Sequence, residues 1–339
     1  MIRFSDFFPG DGKHKALDRV RERTLTIHGI PWRVQYNPAR YTSSMARVDM
    51  RSISERSCFL CPENRPADQK SILHGEYELL ANPRPVFHRH LTIPHRRHQP
   101  QLIRDTFGDM LDLAKALGSA GILLYNGPQC GASAPDHLHF QAGERGFLPI
   151  DRNWRELADQ FGTRIVAAER RHSGSPENGD TPAGPDERVE LTKIDDGLRR
   201  FVMLSSPNRD ALNVRFLDIY EAYHSLVLQK KAAAGKSGHS GSNHGWAVYD
   251  EPKMNILVTF DPPGWRVFIF LRSRHRPNCY YLEDERRMIF SPAAVEYGGV
   301  CIFPNAGDYE RVSVEQLSSM FREVSIDPAD FEQIIRHLR

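Results

Sequence analysis

The chain has 339 residues, and its 45 basic and 43 acidic side chains give a formal net charge of only +2. A charge this close to zero argues against nucleic acid and anionic membranes as partners. No apolar run is long enough to span a membrane, and the N-terminus lacks the apolar core of a signal peptide. Five scattered cysteines suit a reducing compartment better than a disulfide framework, so we expect a cytoplasmic protein.

The first half of the chain mixes strand and helix patterns. Strand-like runs occupy residues 32–36, 77–81 and 90–93. Apolar side chains then recur at helical spacing from Ile103 to Leu117, which predicts an amphipathic helix ending near Gly118. The apolar run that follows, at 121–125, predicts another strand, which breaks into a loop of small residues.

The second half shows the same mixture after a weakly patterned segment. Residues 173–186 are rich in Gly, Pro, Ser and Asp, which predicts a linker or a mobile loop. An apolar stripe over 212–227 predicts a helix, and a polar patch at 232–243 follows it. Further strand patterns lie at 246–249, 256–260 and 267–271. A capping box that begins at Ser313 and the pair Asp327-Pro328 predict two C-terminal helices.

These patterns predict an α+β protein in which helices pack against short antiparallel strands. We expect two structured halves, at residues 1–171 and 191–339, joined by a flexible linker at 172–190. The chain is long enough to give each half its own hydrophobic core.

The segment 125–141 places two imidazoles and an amide beside the loop of small residues. Strand alternation predicts that His137, His139 and Gln141 share one face, with the two apolar residues between them on the other. An imidazole attacks phosphorus when one ring nitrogen is free and the other is held as a donor, and His139 is the predicted nucleophile. Gln141 would donate its amide to a phosphate oxygen, and it cannot act as an acid, which favours phosphate leaving groups. The alternative is a pair of ordinary strand histidines.

This segment resembles the active-site signature of the histidine-triad superfamily, in its His-x-His-x-Gln branch. That branch holds galactose-1-phosphate uridylyltransferase, diadenosine tetraphosphate phosphorylase and GDP-L-galactose phosphorylase. The run Asn82-Pro83-Arg84-Pro85, followed by residues 90–94, is similar to the nucleotide-pocket strands of the same group. The resemblance implies two histidine-triad-like halves, of which the second lacks the catalytic motif. It also implies nucleotidyl transfer through a covalent nucleotidyl-His139 intermediate.

The resemblance further implies which residues hold the nucleotide and its phosphates. In the first half they are Asn82, Asn126, Gly127, Gly131, Ala132 and Ser133. In the second half an Arg/His/Pro stretch ends an apolar strand, as in the phosphorylases, and the expected phosphate ligands are Arg272, His275 and Arg276. The chain departs from the family pattern at Asp136, which stands between Pro135 and His137 where the family runs from Pro directly into His.

A second constellation is Cys58-x-x-Cys61, whose spacing is that of half a tetrahedral zinc site. The sequence has no second Cys-x-x-Cys, so any remaining ligands should be histidines. The resemblance to the uridylyltransferases implies His137 together with His98 or His95, around a structural zinc. The alternatives are two free thiols in a turn or a redox pair. No organic cofactor is expected.

The resulting prediction is a ping-pong nucleotidyltransferase or phosphorylase that acts on a dinucleoside polyphosphate or a nucleotide sugar. Its partners would be nucleotides and phosphate or a sugar phosphate. The first alternative is a hexose-1-phosphate uridylyltransferase, and another is a non-catalytic nucleotide-binding protein, which the presence of His139 and Gln141 disfavours. Because dimerisation is common among the proteins that the chain resembles, a homodimer is among the expected states.

Overall fold

The protein is described by a computed structural model, which covers residues 2–8, 17–67, 69–166, 188–233, 235 and 251–339. The predicted strand at 246–249, the predicted loop at 173–186 and most of the polar patch at 232–243 lie outside these residues. Within them, no helix combines the length and apolar character that crossing a membrane requires.

Thirteen strands lie in the described part of the chain. In order they are β1 Arg21–Ile27, β2 Ile30–Tyr36, β3 Ser71–His74, β4 Tyr77–Ala81, β5 Leu91–Pro94, β6 Gly121–Asn126, β7 His139–Glu144, β8 Gly162–Ile165, β9 Glu190–Asp195, β10 Arg200–Ser206, β11 Met254–Asp261, β12 Gly264–Leu271 and β13 Val300–Phe303. The strands predicted at 32–36, 77–81, 90–93, 121–125, 256–260 and 267–271 are all confirmed within a few residues.

Nine α-helices accompany these strands in the same part of the chain. They are α1 Tyr41–Ser44, α2 Met50–Ser54, α3 Phe107–Leu117, α4 Ile150–Phe161, α5 Arg209–Ala233, α6 Ala294–Tyr297, α7 Ala306–Arg311, α8 Val314–Val324 and α9 Pro328–His337. The predicted caps are confirmed, because the Ser313 side chain accepts from the amide of Gln316 and the Asp327 side chain accepts from that of Ala329.

The start predicted for helix α3 is wrong by four residues. Ile103 is fully buried, as its place in the apolar stripe required, but the helix begins only at Phe107. The backbone N–H of Ile103 donates to the Glu251 carboxyl group instead. The helix ends where predicted, because Gly118 adopts a φ of +62° that favours glycine.

Ten strands form one continuous sheet in the order β3-β4-β5-β7-β6-β11-β12-β10-β9-β8, and every pairing is antiparallel. The join between the predicted halves is β6 with β11, where Leu124 lies opposite Leu257. The α+β architecture with helices on antiparallel strands is therefore confirmed, and the two halves share a single sheet. The boundaries at 171 and 191 stay predictions.

Each face of this sheet has its own hydrophobic core. One core contains the buried faces of α3, α5 and α9, and strand β7 contributes Phe140 to it. The other lies beneath the three-stranded sheet β1-β2-β13 together with α4 and α8, and it includes Leu124. Gln141 lies opposite Leu124 in register, so His139 and Gln141 face this second side. The predicted alternation is confirmed for His139, Phe140 and Gln141, whereas His137 precedes β7 and its ring lies against Cys58 and Cys61.

Candidate active site

His139 is the first residue of β7 and has one ring nitrogen held and one free. Its Nδ1 lies 2.8 Å from the backbone carbonyl of His137. Because a carbonyl only accepts, Nδ1 carries the proton and Nε2 carries the lone pair. Nε2 makes no hydrogen bond with any described residue. Burial, with 4% of the residue exposed, lowers the pKa of His139 to about 4, so the ring is neutral at pH 7.

Gln141 is oriented by a histidine that the sequence analysis did not assign. The amide of Val86 donates to His90 Nδ1 over 3.2 Å, so the His90 proton lies on Nε2. That Nε2 lies 3.0 Å from Gln141 Oε1 and donates to it. The Gln141 amide nitrogen is therefore turned away from His90, and it has no hydrogen-bond partner among the described residues. Burial lowers the pKa of His90 to about 3, which keeps this donor neutral.

His90 could have been found only through the strand register. It directly precedes β5, in which Thr92 lies opposite Gln141. The side-chain nitrogen Nδ2 of Asn82 donates to Thr92 Oγ1 over 2.9 Å, and its side-chain oxygen Oδ1 accepts from the backbone N–H of Arg84. Asn82 thus belongs to the turn that leads towards β5, one strand away from the catalytic strand.

Arg40 supplies a cation on the same side of the site, and the sequence analysis did not single it out. Its Nη1 donates to the carbonyl of Arg84 over 3.4 Å, and this is the one hydrogen bond that the Arg40 side chain makes with the described residues. Burial is the main cause that lowers the pKa of Arg40, and the nearby Glu296 carboxyl opposes this effect. The positive charge of Arg40 also helps to depress the pKa of His90, after the larger effect of burial.

Asn126 connects the small-residue loop to the second half. Its side-chain oxygen accepts from Asn255 Nδ2 over 2.9 Å and from the backbone of Ala294 over 2.8 Å. Both Asn126 and Asn255 are buried. The Asn126 amide nitrogen makes no hydrogen bond among the described residues, so it is available as a donor.

The glycines of this loop are required by close packing against the second half. A Cβ at Gly127 would lie 2.8 Å from the carbonyl oxygen of Met254. Gly131 adopts a φ of +101°, and a Cβ there would lie 2.5 Å from that of Ala293. The two residues that follow, Ala132 and Ser133, are buried and half-buried. The loop is therefore held in one shape by its contacts with β11 and α6.

Arg272 uses its terminal nitrogens inside the protein. It is fully buried, and Nη1 donates to Asn255 Oδ1 over 2.8 Å and to the carbonyl of Pro292 over 2.7 Å. Nη2 donates to the carbonyls of Arg274 and His275. These bonds give Arg272 an anchoring role, and its assignment as a phosphate ligand stays a prediction.

Arg276 and His275 lie in the loop that Arg272 anchors. Arg276 donates to Ser291 Oγ over 2.9 Å and to the carbonyls of Ser44 and Ala46, each over 3.0 Å. His275 is half-buried, and burial with the nearby arginines lowers its pKa well below the ordinary value. Arg276 thus ties this loop to α1, while phosphate binding by either residue stays a prediction.

Cys58, Cys61, His98 and His137 form a cluster whose ligand atoms lie within 4.8 Å of one another. His137 Nδ1 is 3.3 Å from Cys58 Sγ and 3.5 Å from Cys61 Sγ, and His98 Nδ1 is 3.3 Å from Cys61 Sγ. The other nitrogen of His137 donates to the carbonyl of His95 over 2.7 Å, which turns Nδ1 towards the thiols. This group can hold a metal ion.

The donor set of the cluster fits zinc. Two cysteine sulfurs and two imidazole nitrogens are one of the usual tetrahedral zinc combinations. Of the two histidines between which the sequence left a choice, His98 is in the cluster. His95 instead accepts from the backbone of Arg97 at Nδ1 and gives its carbonyl to His137.

The fold of this protein has counterparts among solved structures. It is similar to the crystal structure of yeast Ap4A phosphorylase Apa2, with a TM-score of 0.53 and 14% identity over 91% of this chain and 90% of that one. The complex of that enzyme with Ap4A gives 0.55 and 12% over 91% and 90%. The complex with AMP gives 0.52 and 14% over 91% and 89%. At such identities the likeness shows the fold alone.

Two families match parts of the chain. Residues 4–144 match the family described as "Domain of unknown function (DUF4922)". Residues 250–339 match the family described as "GDPGP1-like, C-terminal domain". No curated protein matches the sequence. The first match contains the catalytic strand, and the second contains the partners that hold the small-residue loop.

Proposed function

We propose that this protein is a nucleotidyltransferase or phosphorylase that works through a covalent nucleotidyl-His139 intermediate. The observation that carries the proposal is the state of His139. The ring is neutral, its Nδ1 proton is held by the His137 carbonyl, and Nε2 is left for attack. These are the properties that a nucleophilic imidazole requires.

In the first step His139 Nε2 attacks the α-phosphorus of the donor. A P–N bond forms, and the bond from phosphorus to the bridging oxygen breaks, so that its electron pair leaves with the phosphate. The imidazole becomes a cation whose proton stays on Nδ1 and is donated in a hydrogen bond to the His137 carbonyl. In the second step an acceptor phosphate oxygen attacks the same phosphorus, and the electron pair of the P–N bond returns to Nε2.

Gln141, Arg40 and the small-residue loop would stabilise the charge that develops on the phosphate. Gln141 faces the site with its amide nitrogen, because its oxygen accepts from His90. Arg40 would add a cation whose side chain makes a single hydrogen bond within the described part of the chain. Preorganised donors of this kind contribute most when they are aimed at the transition state before the substrate arrives.

The donor is expected to be a dinucleoside polyphosphate or a nucleotide sugar. A glutamine cannot protonate a leaving group, so a phosphate that leaves as an anion suits this site. The yeast enzyme whose fold this chain shares is an Ap4A phosphorylase and was solved with Ap4A and with AMP, which supports a nucleotide substrate. Inorganic phosphate or a sugar phosphate would then accept the nucleotide.

Cys58, Cys61, His98 and His137 would hold a zinc ion, which would supply a structural link between the Cys58–Cys61 turn and the catalytic strand. His137 serves both sites, because its ring belongs to the cluster and its carbonyl fixes the His139 proton. No organic cofactor is part of the proposal.

A hexose-1-phosphate uridylyltransferase is the second candidate, and the metal cluster is the observation that favours it. The uridylyltransferases that the chain resembles can complete such a site with the same residue types. The acceptor separates the two functions. A phosphorylase would release the nucleotide from His139 on addition of inorganic phosphate, whereas a uridylyltransferase would require a hexose 1-phosphate.

The decisive experiment is the intact mass of the protein after brief incubation with single donors, quenched at alkaline pH because phosphoramidates are acid-labile. The donors would be dinucleoside polyphosphates, ATP, UDP-glucose and several GDP-sugars, with His139→Asn as the control. A nucleotide-sized adduct on the wild type alone would support the proposal and identify the base. Nucleotide binding without any adduct would favour a non-catalytic nucleotide-binding protein.

A further inference from the structure

Strands β6 and β7 separate just before the nucleophile. Their register runs from Gly121 opposite Glu144 to Leu124 opposite Gln141, and the pairing ends there. Beyond this point β6 continues to Asn126, which lies opposite Asn255 of β11. The backbone of His139 therefore loses the strand partner that a regular sheet would give it on the β6 side.

The side chain of Gln101 fills this gap. Its Oε1 accepts from the His139 backbone N–H over 2.7 Å, and its Nε2 donates to the carbonyls of His139 over 2.9 Å and Asn126 over 3.0 Å. Gln101 has no exposed surface. A backbone N–H only donates and a carbonyl only accepts, so these three partners allow one orientation of the amide. The Gln101 amide takes the place of a peptide group of the missing strand.

We infer that Gln101 is a positioning residue that fixes the backbone of His139 and so aims its free ring nitrogen at the substrate phosphorus. This inference rests on the proposed function. The His139 ring is already tied to the His137 carbonyl through Nδ1, and Gln101 holds the main chain from which the ring projects. Nucleophilic attack depends steeply on such alignment, and a displacement of about 1 Å can cost about 100-fold in rate.

Gln101 is itself held from both halves of the chain. Its backbone N–H donates to the carbonyl of Pro135 over 3.1 Å, beside the catalytic strand. The Tyr125 hydroxyl lies 3.1 Å from the Gln101 carbonyl and 2.8 Å from Glu251 Oε2. Burial raises the pKa of Glu251 to about 8, so a protonated carboxyl can donate to Tyr125 while Tyr125 donates to Gln101. The second half thus supports the nucleophile indirectly.

The test replaces Gln101 with a residue of similar length that cannot hydrogen-bond. Gln101→Met should slow the formation of nucleotidyl-His139 by about 10- to 100-fold, while the Kd for the nucleotide stays within about threefold of wild type. Gln99→Met is the matched control, because Gln99 lies on the same segment and its side chain makes no hydrogen bond among the described residues. It should form the adduct at the wild-type rate. Each rate would be divided by the folded fraction of that variant, which thermal unfolding measures.

Gln101→Glu keeps the experiment decisive if the methionine variant fails to fold. It retains the acceptor for the His139 N–H, but its carboxylate would face two carbonyl oxygens, whereas the protonated form can donate to one of them. Its rate of adduct formation, relative to wild type, should therefore rise as the pH is lowered from about 8 to about 5.5.

Three outcomes would overturn the inference. The first is a folded Gln101→Met that forms the adduct at the wild-type rate, and the second is a ratio of the Gln101→Glu rate to the wild-type rate that does not change with pH. Equal losses of binding and of rate would also overturn it, because Gln101 would then act on affinity. A wild-type protein that forms no adduct would instead refute the proposed function, and the inference about Gln101 with it.

Discussion

His137 and His139 lie two residues apart, and burial lowers the pKa of both imidazoles. They differ in what their ring nitrogens face. His137 directs Nε2 to the His95 carbonyl and Nδ1 to two cysteine sulfurs, so neither nitrogen is left over. Among the described residues, the His139 ring has a hydrogen-bond partner at Nδ1 alone. The chemistry of a buried histidine therefore depends on which ring nitrogen has no partner. A sequence motif gives the residue type but not the partners of its ring nitrogens.

The same criterion separates Gln141 from Arg272. Gln141 has its oxygen engaged by His90 and its nitrogen unused, whereas both terminal nitrogens of Arg272 donate to groups of the protein. A terminal donor that is unused, such as the Gln141 amide nitrogen, can bind a phosphate without breaking existing bonds. The terminal nitrogens of Arg272 would first have to give up bonds, and leaving their buried acceptors unpaired costs free energy. Of the side-chain nitrogens of Arg272, only the buried Nε has no partner among the described residues.

The largest effect is expected from His139→Asn. The rate of adduct formation should fall by at least about 10³-fold, because the nucleophile is removed. The metal content should match that of the wild type, since His139 contributes no atom to the cluster. Intact mass and elemental analysis measure the two properties separately. An adduct that still forms at more than a tenth of the wild-type rate would place the nucleophile elsewhere.

His137→Asn should give the opposite pattern. It removes one of four ligand atoms, so metal affinity measured against a chelator should fall by more than about 100-fold. Loss of a residue that only hydrogen-bonds to a metal ligand typically costs up to about 100-fold. The rate of adduct formation should fall less than in His139→Asn, because His139 is tied to the backbone carbonyl of residue 137, which any substitution keeps. Equal loss of adduct in the two folded variants would show that the two roles are not separable.

Patterns that depend on near neighbours in the chain were predictable. The alternation that places His139 and Gln141 opposite Phe140 is confirmed, and so is the capping box at Ser313. Both follow from residues a few positions apart. The proximity of Cys58 and Cys61 to His98 and His137 was also predicted, although only from the family resemblance.

Contacts between distant residues were not predictable. The start of helix α3 was misplaced because Ile103 meets a carboxyl group 148 residues further along the chain. His90 contacts Gln141, 51 residues further along the chain, and Gln101 contacts His139, 38 residues further along. No local sequence pattern predicts either contact. The engagement of both terminal nitrogens of Arg272 is likewise a property of packing. The residue types could therefore be read from the sequence, but the sequence could not show which of their donor and acceptor atoms form hydrogen bonds within the protein.

His90 extends the comparison to a third buried histidine, whose effect should appear in stability. Its folded pKa is about 3, against about 6.5 in an unfolded chain. The unfolded state therefore binds the extra proton first, so the free energy of unfolding should fall as the pH drops from about 6.5 towards 3. The loss assigned to His90 is about 1 kcal/mol for each pH unit in this window.

Urea unfolding of the wild type and His90→Gln at several pH values measures this loss, because the variant lacks the titrating ring and should depend less on pH. His88 lies two residues away and is exposed, so His88→Gln is the matched control and should behave as the wild type does. Parallel curves for His90→Gln and the wild type would contradict a neutral, buried His90.

The smallest effect is expected at Asp136, the residue by which the chain departs from the family pattern. One carboxylate oxygen pairs with Arg56, and the other lies 3.9 Å from Nε2 of His98, whose Nδ1 faces Cys61. A carboxylate behind a metal-binding imidazole orients the ring, and its loss typically weakens metal binding by about 10-fold or more. Asp136→Asn should therefore lose zinc to a chelator about 10-fold more readily, with little change in adduct formation.

The matched control is Asp284→Asn, which breaks a surface pair with Arg286 far along the chain from the cluster residues. Unchanged zinc retention in Asp136→Asn would mean that the additional residue serves Arg56 alone. A loss of zinc in Asp136→Asn but not in Asp284→Asn would instead show that Asp136, the residue that departs from the resembled pattern, supports the metal cluster. Asp136 would then support His98 in the metal cluster, independently of the support that Gln101 gives to His139.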